Sequence, residues 1–251
     1  MLTLLDQSPL ETITAHRSGL GESAPHDLVA ALRKSAREWG RKALQQRMAF
    51  LRTLRHLLVE RQDQLAAAIE LPQRKPEETL VAEILPLAEA CRFLEKTATS
   101  LLKSRRLSAT GQPLWMPGAR LTEVRQPRGV VLVVGPSNYP LLLPGVQIVQ
   151  ALVSGNAVLL KPGRLASRIS RLLVELLVEA GVPPGLVQVT SESHDEIATA
   201  IRQRPDYVVL TGSTAAGKIV AGLAAEQLIP CALELSGCDA MYLLPDADLA
   251  L

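Results

Sequence analysis

From residue 129 onward the chain exchanges short apolar runs with helical stretches, and few folds accept that pattern. Gly129-Val130-Val131-Leu132-Val133-Val134 carries no polar side chain and ends against Gly135 and Pro136, so it reads as a strand buried on both faces. Residues 140–153 have helical periodicity, 157–161 form the next apolar run, and 165–180 read as an amphipathic helix stopped by Gly181 and Pro183. Further strands are expected at 186–190, 207–211, 232–235 and 241–244, with helices at about 194–204 and 213–227. Strands separated by helices cannot pair through tight hairpins. They lie parallel, with the crossover helices covering both faces of the sheet. The fold class is α/β, built on a doubly wound parallel sheet.

Upstream of that alternation the chain is helical. Residues up to His26 mix Ser, Pro, Gly and Thr without period and read as an irregular arm. After Asp27, a good N-cap, apolar residues recur at helical spacing at Leu28, Leu32, Ala36 and Trp39, and again at Leu51, Leu54 and Leu58. The arginines and lysines between them read as a solvated face. A second helical block runs from about 77 to 102. Residues 107–125 change character: Thr110-Gly111-Gln112-Pro113 and Pro117-Gly118 are turn chemistry, which predicts a β-hairpin arm. Its tip holds Leu114, Trp115 and Met116, an apolar triplet where loop tips are normally polar, and this favours self-association.

Composition removes several classes of function. The net charge is +2 and aromatics are 3% of residues, which argues against nucleic-acid binding or a polybasic membrane surface. Cys91, Cys231 and Cys238 form no CxxC, and the four histidines lie far apart. Neither a disulfide framework nor a metal site is expected, and a reducing, cytoplasmic setting fits best. The most apolar stretch, 141–160, is interrupted by Pro144, Gln147, Gln150, Ser154 and Asn156, so no membrane span is expected. The first residues lack the basic region of a secretory signal.

In a doubly wound sheet, ligands sit at the carboxyl ends of the strands. Four expected strands end in polar or tightly turned residues: Pro136-Ser137-Asn138, Lys161-Pro162-Gly163, Thr211-Gly212-Ser213-Thr214 and Glu234-Leu235-Ser236-Gly237. Gly19-Leu-Gly21-Glu-Ser-Ala24 matches a dinucleotide fingerprint in spacing but follows no strand, and reads as chance. Gly212-Ser-Thr-Ala-Ala-Gly217-Lys218 has phosphate-loop spacing after a strand and opens a helix. Ile219 stands where a magnesium-holding hydroxyl would be required, which leaves an anion-cradling helix N-terminus without ATP hydrolysis.

These strand ends also spell a family. Gly135-Pro-Ser-Asn138-Tyr-Pro140, Gly155-Asn156-Ala-Val-Leu-Leu-Lys161-Pro162, Gly181-Val-Pro-Pro-Gly185, Leu210-Thr-Gly212-Ser213-Thr214 and Leu233-Glu234-Leu-Ser-Gly237 occur in order. In sequence and spacing the set resembles the aldehyde dehydrogenase superfamily, over nearly the whole chain but only the first half of a typical member. The resemblance implies three parts: residues 1–106, an arm and helices of the cofactor-binding domain; 107–125, an oligomerisation-type hairpin; and 126–251, a Rossmann-like NAD(P)-binding core. The catalytic domain is expected to be absent.

The resemblance also implies roles. Asn138 matches the amide that donates to the oxyanion of the reacting aldehyde, a neutral donor suited to charge that appears only in the transition state. Glu234 matches the general base, a partly buried carboxylate that accepts a proton from water or the thiol. Lys161 matches the lysine that bonds the adenosine ribose, and Ser213 the serine that meets the pyrophosphate, with Gly212 and Gly217 in the same turn and helix start. Pro136 and Ser137 line the cofactor side of the first strand end. Ser137 stands where the family usually has Trp, and Arg164 where a glutamate often grips the ribose hydroxyls. A cation there suits a 2′-phosphate, so the cofactor is NAD or NADP. Leu210, Ser236 and Cys238 replace the usual Phe, Gly and Lys.

The implied activity is NAD(P)-linked oxidation of an aldehyde to a carboxylic acid through a cysteine thiolate. Two other readings stand beside it: a non-catalytic nucleotide-binding or subunit-pairing module, and an acyl-CoA-linked reductase of the same superfamily. Neither Cys231 nor Cys238 occupies the place of the family's nucleophile, and the chain alone is expected to be inactive. Its expected partners are an aldehyde, once the catalytic half is supplied, and either further copies of itself or that missing C-terminal half.

Overall fold

The computed structural model describes residues 28–108, 115, 118–237 and 240–248. The helical region breaks into α1 (Leu28–Gly40), α2 (Leu44–Met48), α3 (Phe50–Glu60), α4 (Gln62–Ala68), α5 (Pro76–Thr79) and α6 (Leu85–Leu102). The apolar stripe read from the sequence is the buried one: Val29, Leu32, Ala36 and Trp39 face inward from α1, and Leu51, Leu54 and Leu58 from α3. A π-helical turn, Leu80–Ile84, joins α5 to α6. It lies directly before Pro86, whose ring would crowd the carbonyl four residues back in a regular helix, and the wider turn makes room for it.

Short strands β1 (Arg105–Arg106) and β2 (Thr122–Glu123) pair antiparallel, Arg105 opposite Glu123. Trp115, in the connection between them, is 81% exposed, while Leu114, Met116 and the 109–113 turn lie outside the described residues. So do the N-cap Asp27, the Gly19–Ala24 string and Cys238.

The rest is the alternation read from the sequence: β3 (Val130–Val134), α7 (Leu142–Val153), β4 (Ala157–Lys161), α8 (Ser167–Glu179), β5 (Val187–Val189), α9 (Asp195–Arg202), β6 (Tyr207–Gly212), α10 (Thr214–Glu226) and β7 (Cys231–Leu235). The five long strands form one parallel sheet in the order β5-β4-β3-β6-β7. Right-handed crossovers running outward from β3 to β5 put α7 and α8 on one face. The reversed direction from β6 to β7 puts α10 on the other. Every residue of β3 and β4 is buried. Full burial of each large apolar side chain is worth on the order of 1.5–3 kcal/mol, and the core centres here. α1 packs against β3, β4 and β5. Arg33 ties that helix down, donating to Asp206 Oδ1 (2.6 Å) and to the Arg204 carbonyl (2.8 Å). One member of the expected solvated face is therefore an anchor.

The expected strand at 241–244 does not form. Met241, Tyr242, Leu243 and Leu244 are 83%, 89%, 64% and 68% exposed and join no strand among the described residues. The apolar composition was strand-like, but a strand exists only where a neighbouring edge accepts its backbone.

Candidate functional site

The direction of winding reverses between β3 and β6, so the loops leaving their carboxyl ends diverge and open a cleft. That cleft has a volume of about 650 Å³, and Pro136, Ser137, Asn138, Lys161, Arg164, Gly212, Ser213 and Glu234 all line it. Four strand ends remote in sequence therefore meet around one space. Gly217 does not line it. It lies buried one turn into α10, where a Cβ would come within 2.5 Å of the Leu235 side-chain end, which would have to shift.

Two walls are suited to a phosphate-bearing ligand. Ser213 caps α10, its Oγ accepting from the Ala216 N–H at 3.2 Å, so the first turn of that helix points free N–H groups and a positive dipole end at the cleft. Opposite, the Gly163 backbone closes on Pro136. Any Cβ at 163 would run into the Pro136 carbonyl, and only glycine fits. Lys161 ends β4 at 4% exposure. Burial pulls its ammonium below the usual lysine range, partly offset by the fields of Glu192 and Glu196. Among the described residues it has no ion-pair partner, so a cation stands desolvated beside the cleft. His194 and Ile197 at the start of α9 complete the wall. The sequence reading missed both, because they sit in a loop and a helix start that periodicity places only loosely.

Asn138 is exposed on the bend between β3 and α7. Its Oδ1 accepts from the Tyr139 N–H at 3.0 Å, which leaves the carboxamide NH₂ as the end free to meet a ligand oxygen. Glu234 was expected to be partly buried and is exposed. Its strand is the sheet edge, and on the α7 side no described element covers β6 and β7. Along β6, half-exposed Tyr207 and Val209 alternate with buried Val208 and Leu210. The uncovered side forms a second groove of about 690 Å³, floored by Val131, Val209 and Ala232. Glu234 lies on the rim of both cavities. Near it Gln147 Nε2 donates to Thr211 Oγ1 at 2.9 Å, while Gln147 Oε1 is buried with no partner among the described residues.

The two described cysteines are ill suited to nucleophilic work. Burial pushes the Cys91 thiol up to about 12, and Cys231 is half-buried within β7. Among the described residues no group of three or more His, Cys, Asp or Glu is placed to hold a metal ion. No described helix is long and apolar enough to cross a membrane.

The profile of the aldehyde dehydrogenase family matches residues 7–251. The chain belongs to the aldehyde dehydrogenase family. Within that family it is 36% identical, over 251 residues, to a 4,4'-diapolycopene aldehyde oxidase of Methylomonas sp, covering 99% of this chain and 47% of that protein. Among solved structures it resembles a mutant of the P. syringae indole-3-acetaldehyde dehydrogenase AldA in complex with NAD+ and IAA. That likeness has a TM-score of 0.75 at 27% identity, covering 84% of this chain and 42% of the other. It also resembles an E. coli NADP dependent enzyme, with a TM-score of 0.74 at 25% identity, covering 84% and 43% of the two chains. The chain spans about half the length of the aldehyde dehydrogenases it matches, and their fold accounts for its doubly wound sheet.

Proposed function

We propose that this chain is the NAD(P)-binding part of an aldehyde-oxidising dehydrogenase. One observation carries the reading: Lys161, the Ser213-capped start of α10, Asn138 and Glu234 converge on a single cleft at the point where the sheet reverses. The residues fit a dinucleotide. A buried, unpaired ammonium favours ribose hydroxyls or a phosphate, the helix start favours the pyrophosphate, and the Gly163–Pro136 approach leaves a flat wall. Arg164 adds a cation on the same side, which suits a 2′-phosphate and makes NADP the better of the two nucleotides. When bound, the nicotinamide supplies a hydride acceptor.

The chain's own groups would prepare the carbonyl and the proton. The Asn138 NH₂ donates to the oxygen that gains charge, and Glu234 receives a proton at its carboxylate from water or a thiol. Glu234 borders both cavities, so its carboxylate stands between the cofactor cleft and whatever covers the β6–β7 face. That cover is the C-terminal half present in the longer relatives or a second copy of this chain. The exposed Trp115 and the apolar residues Met241–Leu244 favour such association.

Calorimetric titration of the purified chain with NADPH and NADH tests the reading. Removing a charged partner typically costs on the order of 1.5–3 kcal/mol, so Lys161→Ala should weaken binding by about tenfold or more. Absence of binding in the wild type at millimolar nucleotide would overturn it.

A further inference from the structure

A carboxylate, a guanidinium and a backbone carbonyl form a chain of contacts that ends on the loop carrying Asn138. Glu83 sits in the π-helical turn and is 0% exposed. Its Oε2 accepts from the Leu141 N–H (2.8 Å) and the Leu142 N–H (3.1 Å), where α7 begins and backbone donors lack partners. Its Oε1 accepts from Arg74 Nη1 at 3.2 Å. The other arm of the same guanidinium, Nη2, donates to the Asn138 carbonyl at 2.6 Å, and its Cζ lies over the Tyr139 ring, 5.0 Å from the ring centre. The Arg74 side chain is only 14% exposed.

We propose that Arg74, locked by the buried Glu83 carboxylate, is a positioning residue that sets the orientation of Asn138. The 136–141 bend has no regular secondary structure to hold it. Glu83 fixes its far end through two N–H groups, and the sheet fixes its near end at Val134. The exposed middle is Asn138 and Tyr139, and Arg74 is the side chain that grips both. A planar fork can satisfy an acid and a carbonyl at once and still stack on a ring; a lysine ammonium cannot. Because the Asn138 carbonyl is pulled toward Arg74 and its Oδ1 is held by the Tyr139 N–H, the carboxamide NH₂ is the group turned loose. Arg74 itself lines neither cavity of the site, so it acts through Asn138 and not on a ligand.

The proposal rests on the reading of Asn138 as the oxyanion donor, but its test does not. The purified chain, with asparagine labelled by ¹⁵N, gives the side-chain amide signal of Asn138, assigned by its loss in Asn138→Ala. In Arg74→Met, which keeps the apolar stem, that signal should shift or broaden. The backbone amides of Tyr139 and Leu141 should exchange at least tenfold faster, while β3 and α10 amides and NADPH affinity stay within twofold. Arg74→Lys should restore little of the wild-type signal, and Arg74→Gln should behave as Arg74→Met does. An unchanged Asn138 signal in Arg74→Met would overturn the proposal. So would a uniform rise in exchange across the sheet, because that marks general loss of stability. If NADPH fails to bind the wild type, the dinucleotide reading falls, while the Arg74 effect on the Asn138 signal is still read.

Discussion

β3 and β4 are buried along their whole length, whereas β6 and β7 lie in the same sheet with one face open. The first pair is a finished core: valine and leucine apart from Ala157 and Lys161 at the two ends of β4, packed against both α7 and α1. The second pair keeps an apolar floor that no described element covers. Glu234 and Thr211 stand in register on that open pair, and Asn138 and Lys161 extend from the ends of the finished pair. The candidate site is therefore a seam between a region buried on both faces and one with an open face. The chain spans about half the length of the relatives it matches.

The contrast can be broken most forcefully at the centre of the core. Leu132→Ala should cost about 3 kcal/mol in urea unfolding, because its neighbours cannot close the void. Val209→Ala on the open face should cost about 1 kcal/mol or less. Equal costs would mean that something already covers β6 and β7 in solution.

Carboxylates sharpen the comparison with a smaller effect. Glu83→Gln replaces a buried acceptor with an amide whose NH₂ must face another donor, which should cost about 1–3 kcal/mol. Burial, opposed by the Leu141 and Leu142 N–H groups and by Arg74, lifts the Glu83 carboxyl above the usual carboxylate range. The folded chain thus holds that proton more tightly than the unfolded chain does. The Glu83 contribution is full below its unfolded pKa and is lost as the pH rises through its folded one. The deficit of Glu83→Gln relative to wild type should accordingly shrink from acid toward neutral pH in denaturant titrations. A deficit that grows with pH would reverse the sign. Smallest of all, Glu234→Gln on the open strand should change stability by less than about 0.5 kcal/mol, which the same titrations would register.

What could be read from the sequence follows the same division. β3 and β4 announce themselves because an unbroken apolar run has one solution in an α/β chain, and their ends placed Asn138 and Lys161 correctly at one edge of the sheet. The 241–244 run was equally apolar and failed as a strand, since pairing depends on a neighbour that local composition cannot reveal. Glu234 was expected to be half-buried for a related reason: its exposure is set by what lies over β7. Gly217 carried a phosphate-loop spacing, and it lies buried in α10 beside Leu235 and does not line the cleft. Glu83 could have been noticed. It precedes Ile84 and lies four residues before Leu87, both buried, and a carboxylate inside an apolar helical stripe asks for a partner. Arg74 gave no comparable signal, because nothing local marks which carbonyl a surface-loop arginine will reach.

The most direct test of the central claim is to map NADPH onto the chain by amide chemical-shift changes. Binding at the seam predicts that the largest changes cluster at Gly135–Asn138, Lys161–Arg164 and Gly212–Ala216, and that Lys161→Ala needs about tenfold or more nucleotide to reach the same changes. Changes confined instead to the arginine-lined groove of Arg33, Arg37 and Arg128, or no changes at millimolar NADPH, would contradict it.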